Sequence, residues 1–362
     1  MKGRTRRNLS KDIDKIMRSG LLMNGPFAEK FENLMTEQTK RRYAVSVNSC
    51  TTALTICLKY FGVENHDVLV PSASFLTSVS SIIFAGGNPV FVDINPGTLS
   101  FDIDDLYRKL TRNTKGIVWV HLTGVISPEY KSIVEFAKRK GLFLIEDAAQ
   151  ALGAEVKGKP AGSLGDAGCF SFYPTKIITT GTGGMIVTGD KRLKRYGEAM
   201  RLFGKDPRKG KVRYLGNDWF MDEIRACLGC HYMDELKEQL KRRRLLAGKY
   251  NDLLCERRLP IETIKLPPGN LPSYYQFPVF VKNRRIREIV ISNLKTRHLV
   301  QAKGIYTPCH KESVFRQYYR GGLARTEEAL CRALCLPLHV SMSYRDVSSV
   351  VRSLKKELKR VL

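Results

Sequence analysis

The chain has 362 residues, 43% of them hydrophobic, which is enough to bury one large core and a smaller one. It contains no uninterrupted apolar run of about 18 residues, so no membrane span is expected. Lysine and arginine number 61 against 35 acidic residues, a formal net charge of +26 at pH 7; such a field attracts anions generally, but without a helix-turn-helix, zinc-finger or RNA-recognition signature no specific nucleic-acid role is expected.

The nine cysteines are scattered, and the basic start is followed by a charged segment with no apolar centre. A cytoplasmic protein with reduced thiols and no secretory signal is the expectation. Residues 1–25 read as an arm with one short amphipathic helix, its apolar side made by Ile13, Ile16 and Met17. Asn24-Gly25-Pro26 turns into a second helix with Phe27, Phe31, Leu34 and Met35 on one face. A short strand at 43–47 then passes through Asn48-Ser49-Cys50-Thr51-Thr52 into a helix whose apolar face is Leu54, Cys57, Leu58 and Phe61. A strand that turns through small hydroxylic residues into a helix start leaves free N–H groups and a positive dipole end, which together bind phosphate. Simple capping by Ser49 or Thr51 is the plainer reading of the same residues.

Residues 68–75 form a strand entering a helix through a polar turn that ends at Phe75. Further buried strands are predicted at 89–93 and 117–121, with helices at 103–110 and 132–140. Leu142-Phe143-Leu144-Ile145 has the pattern of a strand buried on both faces, and it ends in Glu146-Asp147-Ala148-Ala149-Gln150. Strand and helix alternate, which predicts an α/β fold with a mostly parallel sheet and right-handed crossovers. Strands at 168–172 and 184–188 flank an uncharged run of small, hydroxylic and aromatic residues that holds a single lysine, Lys176.

The stretch 191–213 is strongly basic; it starts as a helix and loosens through Gly204, Pro207 and Gly210. A long charged helix over 223–250 leads into a smaller α/β domain, with strands at 275–281 and 304–307 and helices at 284–296, 326–332 and 343–358. The expected division is 1–245 for the arm and large domain and 246–362 for the small one. Inside the long helix, Cys227-Leu228-Gly229-Cys230-His231 matches a haem-attachment spacing. It reads as core packing, with too few ligands for zinc, and no metal is expected.

An acid at the end of a buried parallel strand lies at the carboxyl edge of the sheet, where open α/β folds bind ligands. Asp147 has that position. Desolvation lowers an amine's pKa and frees the nitrogen that attacks a carbonyl, although Lys176 taken alone reads equally as an ordinary lysine. Pyridoxal phosphate (PLP) needs a lysine for its aldehyde and, in many enzymes, a carboxylate that keeps its pyridine nitrogen protonated. Asp147 and Lys176 suit those two roles.

The run from Glu146 through Gln150 to Gly153, followed by Gly165-Asp166-Ala167-Gly168-Cys169-Phe170-Ser171-Phe172-Tyr173-Pro174-Thr175-Lys176 and then Gly181 to Met185, resembles the nucleotide-sugar aminotransferases of the DegT/StrS type. The resemblance covers nearly the whole chain. It implies a PLP enzyme of fold type I, with a three-layer large domain and a smaller C-terminal α/β domain. It also implies roles: Asp147 on the pyridinium nitrogen, Gln150 and Phe75 against the ring, and Ser49, Cys50, Thr51 and Ser171 on the phosphate. Lys176 would hold the cofactor as a Schiff base and then move a proton. The implied reaction takes an amino group from an amino acid, usually glutamate or glutamine, to a keto group of a nucleotide-linked sugar. A homodimer is implied, because family members complete each site across subunits. Arg201, Lys205, Arg208 and Lys209 are candidates for a substrate diphosphate, with a solvated face as the commoner reading. His310 falls on the substrate side in that comparison, though a lone histidine is more often structural.

Four positions depart from the family's pattern. Cys50 replaces a glycine, Thr182 a glutamate, Phe220 an arginine, and Asp218 an asparagine that reaches across the dimer to the phosphate. Since a carboxylate repels a phosphate, either Asn217 takes that role with a one-residue shift or the contact is missing. Retention of Lys176 argues against the dehydratases of the group, which replace it. Two alternatives stand beside the main reading: an aminotransferase for a free keto sugar or keto-cyclitol, and a non-catalytic regulatory or nucleic-acid-binding relative.

Overall fold

The structure, a computed structural model, describes residues 2–208 and 210–362, so Lys209 lies outside the described residues. Seven strands build the main sheet: β1 (Tyr43–Val47), β2 (Asp67–Pro71), β3 (Asn88–Val92), β4 (Thr114–Val120), β5 (Phe143–Asp147), β6 (Ala167–Ser171) and β7 (Gly184–Thr188). Their order is β1-β7-β6-β5-β4-β2-β3, and only β7 runs against its neighbours. The expected mostly parallel α/β sheet is therefore present. All five residues of β5 are buried, the apolar Phe143, Leu144 and Ile145 and also the carboxylates of Glu146 and Asp147.

Alternation along the strands separates two cores. Val68, Val70, Val118, Ile145 and Cys169 face one side, where α3 (Cys50–Tyr60), α4 (Leu76–Phe84) and α7 (Lys191–Arg201) pack. Leu69, Ile117, Trp119, Leu144 and Phe170 face the other, towards α2 (Pro26–Thr39), α6 (Tyr130–Arg139) and the first half of α8 (Glu223–Glu256). Helices on both faces of the sheet give the three layers of the large domain.

The arm folds as a helix of 17 residues, α1 (Gly3–Ser19), rather than a short one, and lies along α8. Ile16 is buried, but Met17 is 59% exposed and does not belong to the apolar side assigned to it. Helix α8 has 34 residues, roughly 50 Å at 1.5 Å per residue. Ala226, Cys230, Leu236 and Leu240 join the large-domain core, whereas Leu246, Ala247, Tyr250 and Leu253 join a separate one. We propose the domain division at residues 245 and 246 on this change of core. The start of α8 is anchored by Glu223, whose carboxylate accepts from the N–H groups of Gly25, Phe27 and Ala28 at 2.8–3.0 Å.

Beyond α8 an antiparallel sheet orders β8 (Glu262–Thr263), β9 (Phe277–Phe280) and β10 (Ala333–Leu336), with α9 (Arg284–His298) and α11 (Tyr344–Val361) packed together beside it. The strand expected at 304–307 does not form; a single bridge from Lys303 to Cys335 stands there instead. The third strand is Ala333–Leu336, a segment the sequence reading left unassigned. Four apolar residues directly after a helix are too few for periodicity to separate strand from helix.

Candidate active site

The carboxyl ends of the parallel strands meet at a cavity of about 310 Å³. Strand β5 delivers Asp147 and then Gln150, β6 delivers Ser171, the turn after β1 delivers Ser49, Cys50 and Thr51, and the turn after β2 delivers Phe75; all of these line the cavity together with Lys176. Because β7 runs antiparallel, its start lies at the same edge and brings Thr182 and Gly183 into the lining.

Ser49 caps α3, its hydroxyl accepting from Thr52 N–H at 3.1 Å. Helix geometry gives the N–H groups of Cys50 and Thr51 no carbonyl to reach within the helix, so they remain for an anion at the positive end of the dipole. Cys50 is helical and its side chain turns into the core, where burial, then the nearby Asp147 charge, push its thiol well above the usual range. A glycine is thus not required at position 50. The close approach is made across from it, at Gly184, where a Cβ would stand 2.3 Å from the carbonyl of Ser49 and 2.6 Å from Cys50 N.

Asp147 is buried and oriented. Its Oδ2 accepts from Ser78 at 2.6 Å, with Ser74 donating to Ser78 at 2.6 Å, and its Oδ1 accepts from Ala149 N–H at 3.1 Å. Gln150 bridges two elements: Oε1 accepts from Thr123 N–H at 2.7 Å, and Nε2 donates to the Tyr306 hydroxyl at 3.2 Å. Thr123 has φ 61°, a strained conformation for a β-branched residue, costing on the order of 1–3 kcal/mol. The Gln150 bond holds it in place. Lys176 Nζ stands 4.7 Å from the centre of the Tyr275 ring, and the Tyr275 hydroxyl pairs with Thr175 at 3.0 Å. Phe75 is tilted against Tyr306 with ring centres 5.5 Å apart. Ser171 accepts from Tyr173 N–H at 3.4 Å. Thr182, in place of an acid, donates to the Asn48 carbonyl at 2.7 Å and so ties the glycine loop to the turn that leads into α3.

Five candidates, Arg201, Lys205, Arg208, Asn217 and His310, are not brought to the cavity of their own chain. The Arg201 guanidinium is engaged by Glu32 at 2.6 Å and by Ser46, a contact inside the large domain. His310 is buried between Ser72 at 2.7 Å and Glu327 at 3.0 Å and stacked on Tyr319; burial holds its pKa below the usual histidine range against the pull of Glu327. Its role in the fold is structural. Lys205 extends over the Phe203 ring, and Asn217 is exposed, its Oδ1 accepting from Asp218 N–H at 2.8 Å. The haem-like spacing separates as well: the Cys230 thiol points to the Phe27 carbonyl, while His231 pairs with Asp12 of α1 at 3.0 Å.

The cavity also holds residues that the sequence reading missed: Thr77, Ser78, Tyr275, Lys303 and Tyr306. Ser78 sits in the first turn of α4, four residues after Ser74 in the preceding turn, and no local pattern marks it. Tyr275, Lys303 and Tyr306 come from beyond α8, and no local pattern announces them.

These residues fit PLP. An amine and a carboxylate line one cavity, two free N–H groups and hydroxyls at the α3 start suit the phosphate, and the absence of a side chain at Gly184 keeps the Ser49–Cys50 backbone in place.

The profile of the DegT/DnrJ/EryC1/StrS aminotransferase family matches residues 4–355. The chain is 30% identical over 336 residues to the GDP-perosamine synthase of Escherichia coli O157:H7, covering 92% of this chain and 90% of that one. It is 32% identical over 332 residues to the dTDP-4-dehydro-2,3,6-trideoxy-D-glucose 4-aminotransferase of Saccharopolyspora spinosa, with 86% and 83% covered. The structure of NtdA from Bacillus subtilis with bound cofactor PMP superposes with a TM-score of 0.91 at 28% identity, covering 99% of this chain and 83% of that one. With a match that runs nearly end to end and a cavity that fits the cofactor, the chain belongs to the DegT/DnrJ/EryC1/StrS aminotransferase family and is a PLP-dependent aminotransferase.

Proposed function

We propose that the enzyme transfers the amino group of an amino acid, glutamate or glutamine, to a keto group of a nucleotide-linked sugar. The observation that carries the reading is the single cavity in which Lys176, Asp147 and the start of α3 converge. The names of the two sugar-nucleotide relatives and the net charge of +26, which draws anionic substrates, support it.

When bound, PLP supplies an aldehyde for the amine and a ring that withdraws electrons from the amino acid's Cα. Asp147, fixed by Ser78 and Ala149, presents a carboxylate that would hold a proton on the pyridine nitrogen. Lys176 would hold the cofactor's aldehyde carbon, and its Nζ would move a proton to and from the substrate's Cα. Ser49, Thr51 and Ser171 would bind the phosphate, and Gln150 and Phe75 would lie against the ring. Apolar walls at Val120, Phe75 and Tyr306 limit water around the reacting atoms. We also propose a homodimer, in which the loop around Asn217 meets the partner. Exposed Val212, Tyr214 and Leu215, the last 95% accessible, support that face as an interface.

The test begins with visible absorption after PLP is added to wild type and Lys176→Ala. Borohydride reduction of the wild type should leave the cofactor on the peptide carrying Lys176, and the variant should lack that label. Nucleotide-linked and free keto sugars are then compared as acceptors. Faster turnover of a free keto sugar or keto-cyclitol would overturn the substrate class while leaving the chemistry intact.

A further inference from the structure

Within its own segment, Cys227-Leu228-Gly229-Cys230-His231 offers too few ligands for a metal. Packing of the arm changes that. Cys227 and His231 stand four residues apart on α8, hence on one face of the helix, and Asp12 of α1 meets them there. The Cys227 sulfur, a ring nitrogen of His231 and a carboxylate oxygen of Asp12 all lie within 4.8 Å of one another. None of the three lines the cofactor cavity.

Two of the three already touch, with His231 Nε2 3.0 Å from Asp12 Oδ2. Nitrogen and oxygen held at about 2.0–2.1 Å by one tetrahedral zinc stand roughly 3.3 Å apart, so that edge of the shell is in place. The third member is what an ion pair alone leaves unexplained. Cys227 is 0% exposed, and among the described residues its thiol makes no hydrogen bond, whereas the Cys230 thiol reaches the Phe27 carbonyl. A buried thiol commonly packs as a small hydrophobe. This one is set beside an imidazole and a carboxylate, the two other donor types of zinc sites.

Sulfur, nitrogen and oxygen in one set exclude magnesium and calcium, which take oxygen, and suit zinc. The charges balance, because ionised Cys227 and Asp12 bring two negative charges to a divalent cation, the thiol losing its proton as it binds. Of the other charges near the sulfur, Glu223 and Lys30 oppose each other. Lys15, which bonds Asp12 Oδ1 at 2.9 Å, is 74% exposed and is free to swing clear. The side chains of His231 and Asp12 are 12% and 21% exposed, which leaves a path for the ion and a place for water as fourth ligand.

We propose that Cys227, His231 and Asp12 form a zinc site that fastens the arm helix α1 to α8. The site is independent of the proposed transamination.

Cobalt(II), a coloured stand-in for zinc, tests it on the full-length, PLP-loaded enzyme after chelator treatment and dialysis. Difference spectra should show one cobalt per chain, with a thiolate-to-cobalt charge-transfer band in the near ultraviolet that equimolar zinc abolishes. Cys227→Ser should lose that band, and Cys230→Ala should keep it. Asp12→Asn and His231→Ala should each weaken zinc binding about tenfold or more. Zinc should raise the melting temperature of wild type and slow trypsin cleavage within the Lys- and Arg-rich arm, and do neither in Cys227→Ser. A wild type that gives no charge-transfer band with excess cobalt overturns the site. So does a band that survives Cys227→Ser, or zinc affinity that neither Asp12→Asn nor His231→Ala reduces. Asp12→Asn alters a part-exposed side chain of the arm, so it reads the site even where a cysteine variant folds poorly. Zinc that binds through these residues yet leaves arm cleavage unchanged overturns the fastening role.

Discussion

Glu146 and Asp147 are consecutive carboxylates at the end of one strand, both buried, and they face opposite sides of the sheet. Glu146 is fully enclosed and takes N–H groups from Gly162, Leu164 and Gly165 as well as the His121 ring. Burial is the strongest single influence on its pKa and pushes upward, yet the His121 bond and the backbone donors outweigh it and hold the group below its ordinary 4.5. Among the described residues the Asp147 carboxylate is bonded by Ser78 and Ala149 alone, and it opens on the cavity. A buried acid wired on all sides is an anchor for a loop; one wired on two sides, with an edge left open, is available for chemistry.

Substitution of each member separates the two roles. Asp147→Ala should lower turnover roughly 10²–10⁴-fold while thermal melting moves little, checked by half-reaction rates beside calorimetry. Glu146→Ala should do the reverse, removing about 3–5 kcal/mol of stability in denaturant titrations, because the loop N–H groups and His121 lose a shared partner in the core. Equal losses of activity and stability in both variants would break the contrast. Gly184→Ala is intermediate: its Cβ collides with the Ser49 backbone, so stability should drop by about 1–3 kcal/mol and PLP affinity with it, measured by fluorescence titration. The smallest effect lies in pH. A carboxyl whose folded pKa is depressed contributes stability above its unfolded value and loses it as pH falls through the folded value. Wild type should therefore lose stability below about pH 4.5, and Glu146→Gln should show a flatter acid limb.

The same contrast marks what could be read from the residues alone. Asp147 was legible as an acid at the end of an apolar strand and Lys176 as a lone lysine in an uncharged run, while Gln150 came from the resemblance; the structure brings all three to one cavity. The partners were not. Ser78 reaches Asp147 only once α4 packs beside β5, and Lys303, Tyr275 and Tyr306 arrive from the second half of the chain. Arg201 shows the opposite failure. A basic residue in a basic stretch reads as a solvated face or as a ligand for anions, but Glu32, far off in the sequence, pairs with it inside the fold. Position 182 is a third kind: the loss of an acid was visible, while its replacement by a tether to the Asn48 carbonyl needed the geometry.

Helix α8 carries one more consequence. Arg244 donates to the carbonyls of Gly153, Leu271 and Pro272, and Arg243 to those of Tyr274 and Leu338. The segment that delivers Tyr275 is thus riveted largely through its main chain, with the Ser273 hydroxyl adding bonds to the carbonyls of Gln150 and Gly124. Main-chain rivets are indifferent to which residues they hold, so the side chains at 275 and 276 can change without loosening the segment, while the reacting amine and its carboxylate stay fixed. Such an enzyme can exchange one donor or acceptor for another by drift in a few lining positions, and a lineage can diversify its products without rebuilding its catalyst.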